Sequence, residues 1–153
     1  MPMIIKWPGQ GQAGVVRDVP VISTDFYPTL LEMARLPAMP DQAIDGVSLV
    51  PAFKGDPIER EALFWHFPQY SNHGMQSPGG AVRAGDYKLL EYFENGSVQL
   101  FNIREDIGEQ NDLSKSEPDK VAELRQLLHA WRKEVSAQMP LPNPEYEPGN
   151  YPK

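Results

Sequence analysis

The stretch that most restricts the fold runs from Gly80 to Leu113, GAVRAGDYKLLEYFENGSVQLFNIREDIGEQNDL. It reads as three strands in succession. Ala81-Val82-Arg83 is the first, and Ala84-Gly85-Asp86 supplies a turn. Tyr87 to Glu94 is poor in β-branched residues but rich in aromatic ones, which suit a pleated, half-buried surface. Asn95-Gly96 follows, a dipeptide that tolerates positive φ at both central positions of a type I′ turn. Val98 to Ile103 then returns as the partner strand. The centre of the chain is therefore an antiparallel meander, and the other segments must cover it or connect it to something else.

The cover comes from downstream. Ser116-Glu117-Pro118-Asp119 opens a helix, with Ser116 placed to cap the Asp119 N–H and two acids facing the positive end of the dipole. Val121, Leu124, Leu127, Leu128, Trp131 and Val135 recur at three- and four-residue spacing, so one stripe is apolar and should pack on the meander, burying Trp131. Leu63 to Phe67 is one more short strand. Residues 61–139 thus form an α+β unit, an antiparallel sheet of about four strands packed by a long C-terminal helix. Residues 140–153 are a Pro-rich tail without periodicity.

The first sixty residues differ in kind. Met3-Ile4-Ile5 is an apolar run of the sort found in strands buried on both faces, as in a parallel sheet. Nothing that follows offers it βα neighbours, so it reads as the last strand of a sheet whose other members lie elsewhere. Val15 to Ile22 is a second extended piece. Ser23, Thr24 or Asp25 then caps a helix with Pro28 in its first turn, Phe26, Leu30, Met33 and Ala34 on one face, and Pro37 at its end. The chain is irregular from there to Glu61, with Asp45-Gly46 as a turn. Left unpartnered, the early strand and helix would expose an apolar patch that invites self-association.

The totals exclude several classes. At 153 residues the chain fits one ordinary domain, and its sixteen prolines are about twice the usual share, so much of it is loop. A net charge of −7 without a basic cluster argues against nucleic acid or an anionic membrane as partner. No run approaches the roughly 20 apolar residues of a membrane helix, and the apolar run near Met1 is too short for a signal peptide. The lack of cysteine removes disulfides, thiolate metal sites and a cysteine nucleophile together, while fitting either redox compartment.

Little local chemistry is written in the chain. His66, His73 and His129 have no zinc-site spacing, and His129 reads as a half-exposed helix residue. The acidic run from Glu105 to Asp112 fails the EF-hand template. No Gly-x-Ser-x-Gly elbow, P-loop or GxGxxG stretch is present. Arg83 and Lys88 are placed to pair with Asp106 or Glu109 across the meander. What remains is Phe64-Trp65-His66-Phe67-Pro68-Gln69-Tyr70 and the loop to Gly79. Its aromatics, amides and two histidines can line a pocket for a polar, sugar-like ligand, or can equally surround a core tryptophan with polar loop residues.

Taken together, these stretches resemble the C-terminal part of a formylglycine-dependent (type I) sulfatase. Met1 to Gly9 resembles that family's last large-sheet strand, Asp25-Phe26-Tyr27-Pro28-Thr29-Leu30 its Asp-x-x-Pro-Thr-Leu helix, and Asp45-Gly46-Val47-Ser48-Leu49 its Asp-Gly-x-Ser-Leu turn. Phe64-Trp65-His66, Ala81 to Leu89, and Leu100-Phe101-Asn102-Ile103 with Asp106 and Glu109 complete the set, in the family's order. The resemblance implies a large α/β domain on the alkaline-phosphatase plan, of which residues 1–60 are the tail end, followed by a small sheet-and-helix subdomain. It also implies a formylglycine made from Cys or Ser in a Cys/Ser-x-Pro/Ala-x-Arg stretch, and a calcium ion held by Asp and Asn.

This sequence departs from the family at those catalytic positions. The nearest match to the formylglycine stretch, Ser116 to Lys120, ends in Lys rather than Arg. No catalytic or metal residue is therefore expected here; calcium and formylglycine belong to an absent N-terminal catalytic domain, the chain's principal partner. The chain should be inactive alone. It would complete the large sheet and contribute a wall of the pocket for a sulfated sugar or aryl sulfate, with His66, Gln69 and His73 as the contacts. The resemblance also suggests a periplasmic or secreted setting. The competing reading is a stand-alone glycan-binding module. Arg35 stands where the family often ends its helix with Gly, so that helix is expected to stop through Pro37 alone.

Overall fold

A computed structural model describes residues 3–11, 13–70, 77–141, 143 and 144. The chain divides into two compact units, Met1–Arg60 and Glu61–Lys153.

In the first unit a single turn of 3₁₀ helix, Ser23–Asp25, leads into α1 (Phe26–Ala34), and α2 (Val50–Lys54) follows. Pro28 lies in the first turn of α1, where its missing N–H costs nothing. The end of α1 corrects the expectation that Pro37 acts alone. Arg35 itself takes the left-handed conformation at φ 56°, its N–H bonding Glu32 O, while Leu36 N reaches Leu31 O at 2.9 Å. That closes the helix as a glycine would, at a cost of about 1–2 kcal/mol for a residue with a Cβ.

The apolar face expected on α1 is turned outward. Phe26 is 45% and Leu30 62% exposed, and Thr29 is the buried residue of the helix. Met3 to Ile5 forms no strand, and Ile4 is 96% exposed. The reason is that a strand exists only where a neighbour accepts its N–H groups and donates to its carbonyls; among the described residues none does so here.

The second unit is the meander. Strands β1 (Leu63–Phe67), β2 (Gly79–Ala84), β3 (Tyr87–Tyr92) and β4 (Val98–Asn102) pair antiparallel in the order β1-β2-β3-β4. The register aligns Phe64, Val82, Leu89 and Leu100 across all four strands. Because side chains alternate along a strand, these four share one face. Helix α3 (Pro118–Glu134) lies on that face, and Leu124 and Leu128 join Val82, Leu89 and Leu100 in a fully enclosed core. Burying each leucine contributes about 1.5–3 kcal/mol. Trp131 is partly buried and stacks on Phe64, the ring centroids 4.8 Å apart and the planes 4° from parallel.

Three local expectations need correction. Of Asn95 and Gly96 only Gly96 has positive φ, 66°, so the turn is not type I′. The loop instead closes through Gly96 N to Tyr92 O and Tyr92 N to Ser97 O, both 2.9 Å, and Asn95 Oδ1 accepts from Ser97 N. Extra residues let a right-handed turn end in one left-handed glycine, which the two-residue form cannot do. Ser116 does not cap α3. Glu117 occupies that position, with Pro118 beginning the helix, and Ser116 Oγ donates to Leu113 O. Val135 lies past the helix and is 47% exposed. The row Leu124, Leu128 continues at i+4 to Arg132, which takes the inward place. No helix among the described residues is long and apolar enough to cross a membrane.

Candidate functional site

The residues expected to meet a ligand are only partly brought together. His66 sits on β1 opposite Gly80, on the face that α3 covers. Its Nε2 is 2.7 Å from Gln138 O, so Nε2–H donates to that carbonyl, and the ring lies 5.3 Å from Phe93. Nδ1 is buried without a hydrogen-bond partner. His66 thus ties the segment after α3 to the sheet. Gln69 is exposed just past the strand. His73 lies outside the described residues. Tyr70 donates to Glu94 Oε1 at 2.6 Å, which links the segment after β1 to the β3–β4 turn.

At that end of the sheet stands an ionic cluster that sequence patterning did not single out. Glu91 of β3 is 5% exposed and faces α3, beside Gly80 of β2. Arg125, His129 and Arg132 occur at i, i+4 and i+7 on α3, a spacing that sets all three on one helix face. Arg125 Nε donates to Glu91 Oε1 at 2.7 Å, Arg132 Nη1 to Oε2 at 2.5 Å, and His129 Nε2 lies 3.0 Å from both oxygens. Burial alone would push the Glu91 carboxyl up. The hydrogen bonds from Arg132, His129 and Arg125 outweigh it and hold the group below its ordinary value.

Arg132 is the most enclosed cation of the set, 9% exposed. Its guanidinium lies 4.7 Å from the Phe93 ring centroid, a cation–π distance. A Cβ at position 80 would stand 2.3 Å from its Nη2, which explains a glycine inside a strand. Nη1 serves Glu91, but Nε and Nη2 are buried with no acceptor. A concavity of about 450 Å³ opens alongside, lined by Glu91, Phe93, His129, Arg132, Lys133 and Met139 among others.

Two stretches singled out in the sequence turn out to hold each other. Asp25 is wholly buried; its Oδ2 accepts from Ile22 N at 2.9 Å, its Oδ1 from Val47 N at 3.1 Å, and Arg60 pairs with Oδ1. Thr29 Oγ1 donates to Asp25 O and accepts from Leu49 N at 2.9 Å. Gly46 is required because a Cβ there would meet Thr24 O at 2.1 Å. The Asp-x-x-Pro-Thr helix and the Asp-Gly-x-Ser-Leu turn are therefore one bracket, with their polar atoms spent on structure.

Metal ligation finds no donor set. Among the described residues no three His, Asp or Glu side chains gather where an ion could sit. Within the acidic run, Asp106 Oδ2 accepts from Gln110 N and Asn111 N, both 2.7 Å, so that carboxylate shapes the loop. Lys88 pairs with Glu109 at 2.6 Å, as its position suggested. Arg83 does not join it: its Nε is buried without a partner, a placement we cannot explain.

Comparison with known proteins adds the following. The family model for the C-terminal region of N-sulphoglucosamine sulphohydrolase matches residues 1–138. A sulfatase of Formosa agariphila is 33% identical over 146 residues, covering 86% of this chain and 26% of the relative. An N-acetylglucosamine-6-O-sulfatase of Bacteroides thetaiotaomicron is 29% identical over 148 residues, covering 92% and 26%. The solved structure of BT4656 with its substrate D-glucosamine-2-N,6-O-disulfate superposes with a TM-score of 0.63 at 26% identity, over 76% of this chain and 24% of that one. The chain thus spans about a quarter of the length of the relatives it matches.

Proposed function

We propose, from the premise that the chain belongs to the N-sulphoglucosamine sulphohydrolase C-terminal family, that it is the C-terminal portion of a sulfuric ester hydrolase acting on sulfated sugars. The observation that carries this reading is the family match along residues 1–138, set against relatives about four times as long. Sulfatase relatives imply formylglycine and calcium in the whole enzyme. The residues present here do not fit either group: there is no cysteine, no cluster of metal-binding side chains among the described residues, and Ser116 is bonded to Leu113 O ahead of α3. No reaction step is therefore assigned to this chain.

Its part is to complete the large domain and to wall the substrate pocket. The outward apolar residues of the first unit, Ile4, Val16 and Leu30 at 96%, 92% and 62% exposed, support the first role, since they suit burial against the rest of an α/β domain. For the second role we assign sugar contact to Gln69 and His73. His66, whose Nε2 already serves Gln138, holds the base of that loop. The family likeness suggests a periplasmic or secreted setting.

Incubating the chain alone with an aryl sulfate and calcium tests this. No turnover is expected, whereas restoring it to a catalytic portion should give hydrolysis that Gln69→Ala and His73→Ala reduce. Turnover by the chain alone would overturn the reading.

A further inference from the structure

We propose that the concavity beside the last turn of α3 binds an oxyanion, a carboxylate or a sulfate ester, carried on a sugar ring. The charge there is one-sided. Arg125, Arg132 and Lys133 are permanent cations, and Glu91 is the carboxylate among them. Glu91 is already saturated by Arg125, His129 and Arg132, so it takes no more donors.

The donors are not saturated. Arg132 is nine-tenths buried and lines the concavity, yet two of its three nitrogens have no acceptor. Buried N–H groups without a partner are expensive, and their presence in a folded protein marks a ligand, an ion or a water not yet in place. A guanidinium offering adjacent Nε and Nη2 donors matches two oxygens of one carboxylate or sulfate group. Gly80 leaves the space beside Nη2 free of any side chain.

The second half of the site is apolar. Phe93, Ala137 and Met139 border the same space, and Met139 is 48% exposed. An apolar wall next to cations suits a molecule with a C–H face and an anionic substituent, rather than a free inorganic ion. Half-exposed His129 and exposed Lys133 stand where the substituent would enter. The choice of a sugar ring, as opposed to another ring, rests on the sulfatase reading. The oxyanion site rests on Arg132 alone.

The test is an amide NMR titration of the full 153-residue chain with glucuronate, glucosamine 6-sulfate, glucose and sodium sulfate. Saturable shifts at Gly96, His129 and Lys133 are expected with one or both anionic sugars, and none with glucose. The tighter of the two names the substituent. Lys133→Ala, at an exposed position, should weaken binding about three- to tenfold. Glu91→Gln combined with Arg132→Met, which removes both buried charges together, should abolish it.

No saturable shift with either anionic sugar overturns the proposal, as does a Kd that Lys133→Ala leaves unchanged. Inorganic sulfate binding as tightly as the sugars overturns the ring and leaves an adventitious ion only. None of these readouts needs turnover, so a failed hydrolysis assay and a failed titration are separate results.

Discussion

Replacing Gly80 with Ala probes the ionic cluster through the sign of its effect. Gly80 is not among the glycines with positive φ, so alanine fits its backbone and would by itself favour the strand by about 0.5–1 kcal/mol. The new methyl, however, would stand 2.3 Å from Arg132 Nη2 and 3.1 Å from Trp65 O. The guanidinium must move. It is held between the Glu91 carboxylate and the Phe93 ring, so moving it detaches it from one or both. Removing one partner of a buried ion pair costs about 3–5 kcal/mol when the other is left alone. Glu91 keeps Arg125 at 2.7 Å and His129 at 3.0 Å, which softens the loss. We expect a net destabilisation of about 2 kcal/mol by urea denaturation. In an Arg132→Met background the methyl meets no guanidinium, and the two changes should couple by at least about 1 kcal/mol. A neutral or stabilising Gly80→Ala, or strict additivity with Arg132→Met, would refute the account of why this strand carries a glycine.

Other expectations follow from the same contacts. Trp131→Ala removes the ring stacked on Phe64 and should cost about 3 kcal/mol, the low end for a large aromatic because Trp131 is only partly buried; a loss under about 1 kcal/mol in a denaturation curve refutes the packing. The Glu91 carboxyl is held below its ordinary value of 4.5, so its contribution is complete above that pH and is lost as pH falls through the lower folded value; Glu91→Gln should flatten stability against pH in this acid window, and an unchanged slope counts against the cluster. Asp25→Ala strips the acceptor from Ile22 N and Val47 N and leaves Arg60 unpaired; it should cost about 3 kcal/mol and speed hydrogen exchange at the Val47 amide, while an Asp25→Ala chain with wild-type exchange there would show the bracket to be idle.

The sheet was legible in the sequence because its signals are local. Leu63 to Phe67, Ala81 to Arg83, Tyr87 onward and Val98 onward each carry strand-type residues, and Gly85 and Gly96 punctuate them at φ 56° and 66°. The three- and four-residue spacing of Leu124, Leu128 and Trp131 likewise gave α3 and the face it buries. What escaped depends on distant partners. The apolar run Met3 to Ile5 looks like a strand in any window, but a ladder needs a neighbour that periodicity cannot supply. Arg35 adopts a conformation that residue type argues against, held by bonds back to Leu31 and Glu32. Glu91 and Arg132 were hidden because each breaks a pattern. Glu91 sits one alternation after Leu89, and Arg132 one turn after Leu128, so a charge stands where the period asks for an apolar residue. Two such breaks of opposite sign, one on a strand and one on its covering helix, are the signal that could have located the cluster.

That pairing also bears on how α3 finds its place. Leucines at Leu124 and Leu128 pack against Val82, Leu89 and Leu100, and a row of similar side chains tolerates sliding by one helical turn, 5.4 Å, at little cost in apolar area. The ionic end does not. A one-turn shift would bring an aliphatic residue over Glu91, strip it of Arg132 and leave a carboxylate that is 5% exposed without its closest donor. Buried ion pairs are weak sources of stability compared with apolar side chains of the same size, so energy alone does not account for one at the centre of a helix–sheet contact. Fixing the register does account for it. It also fixes where the last turn of α3 ends, and with it the positions of Lys133 and of Gln138, whose carbonyl accepts from His66 Nε2. The geometry of the concavity is then set by the one feature of the helix that cannot slip.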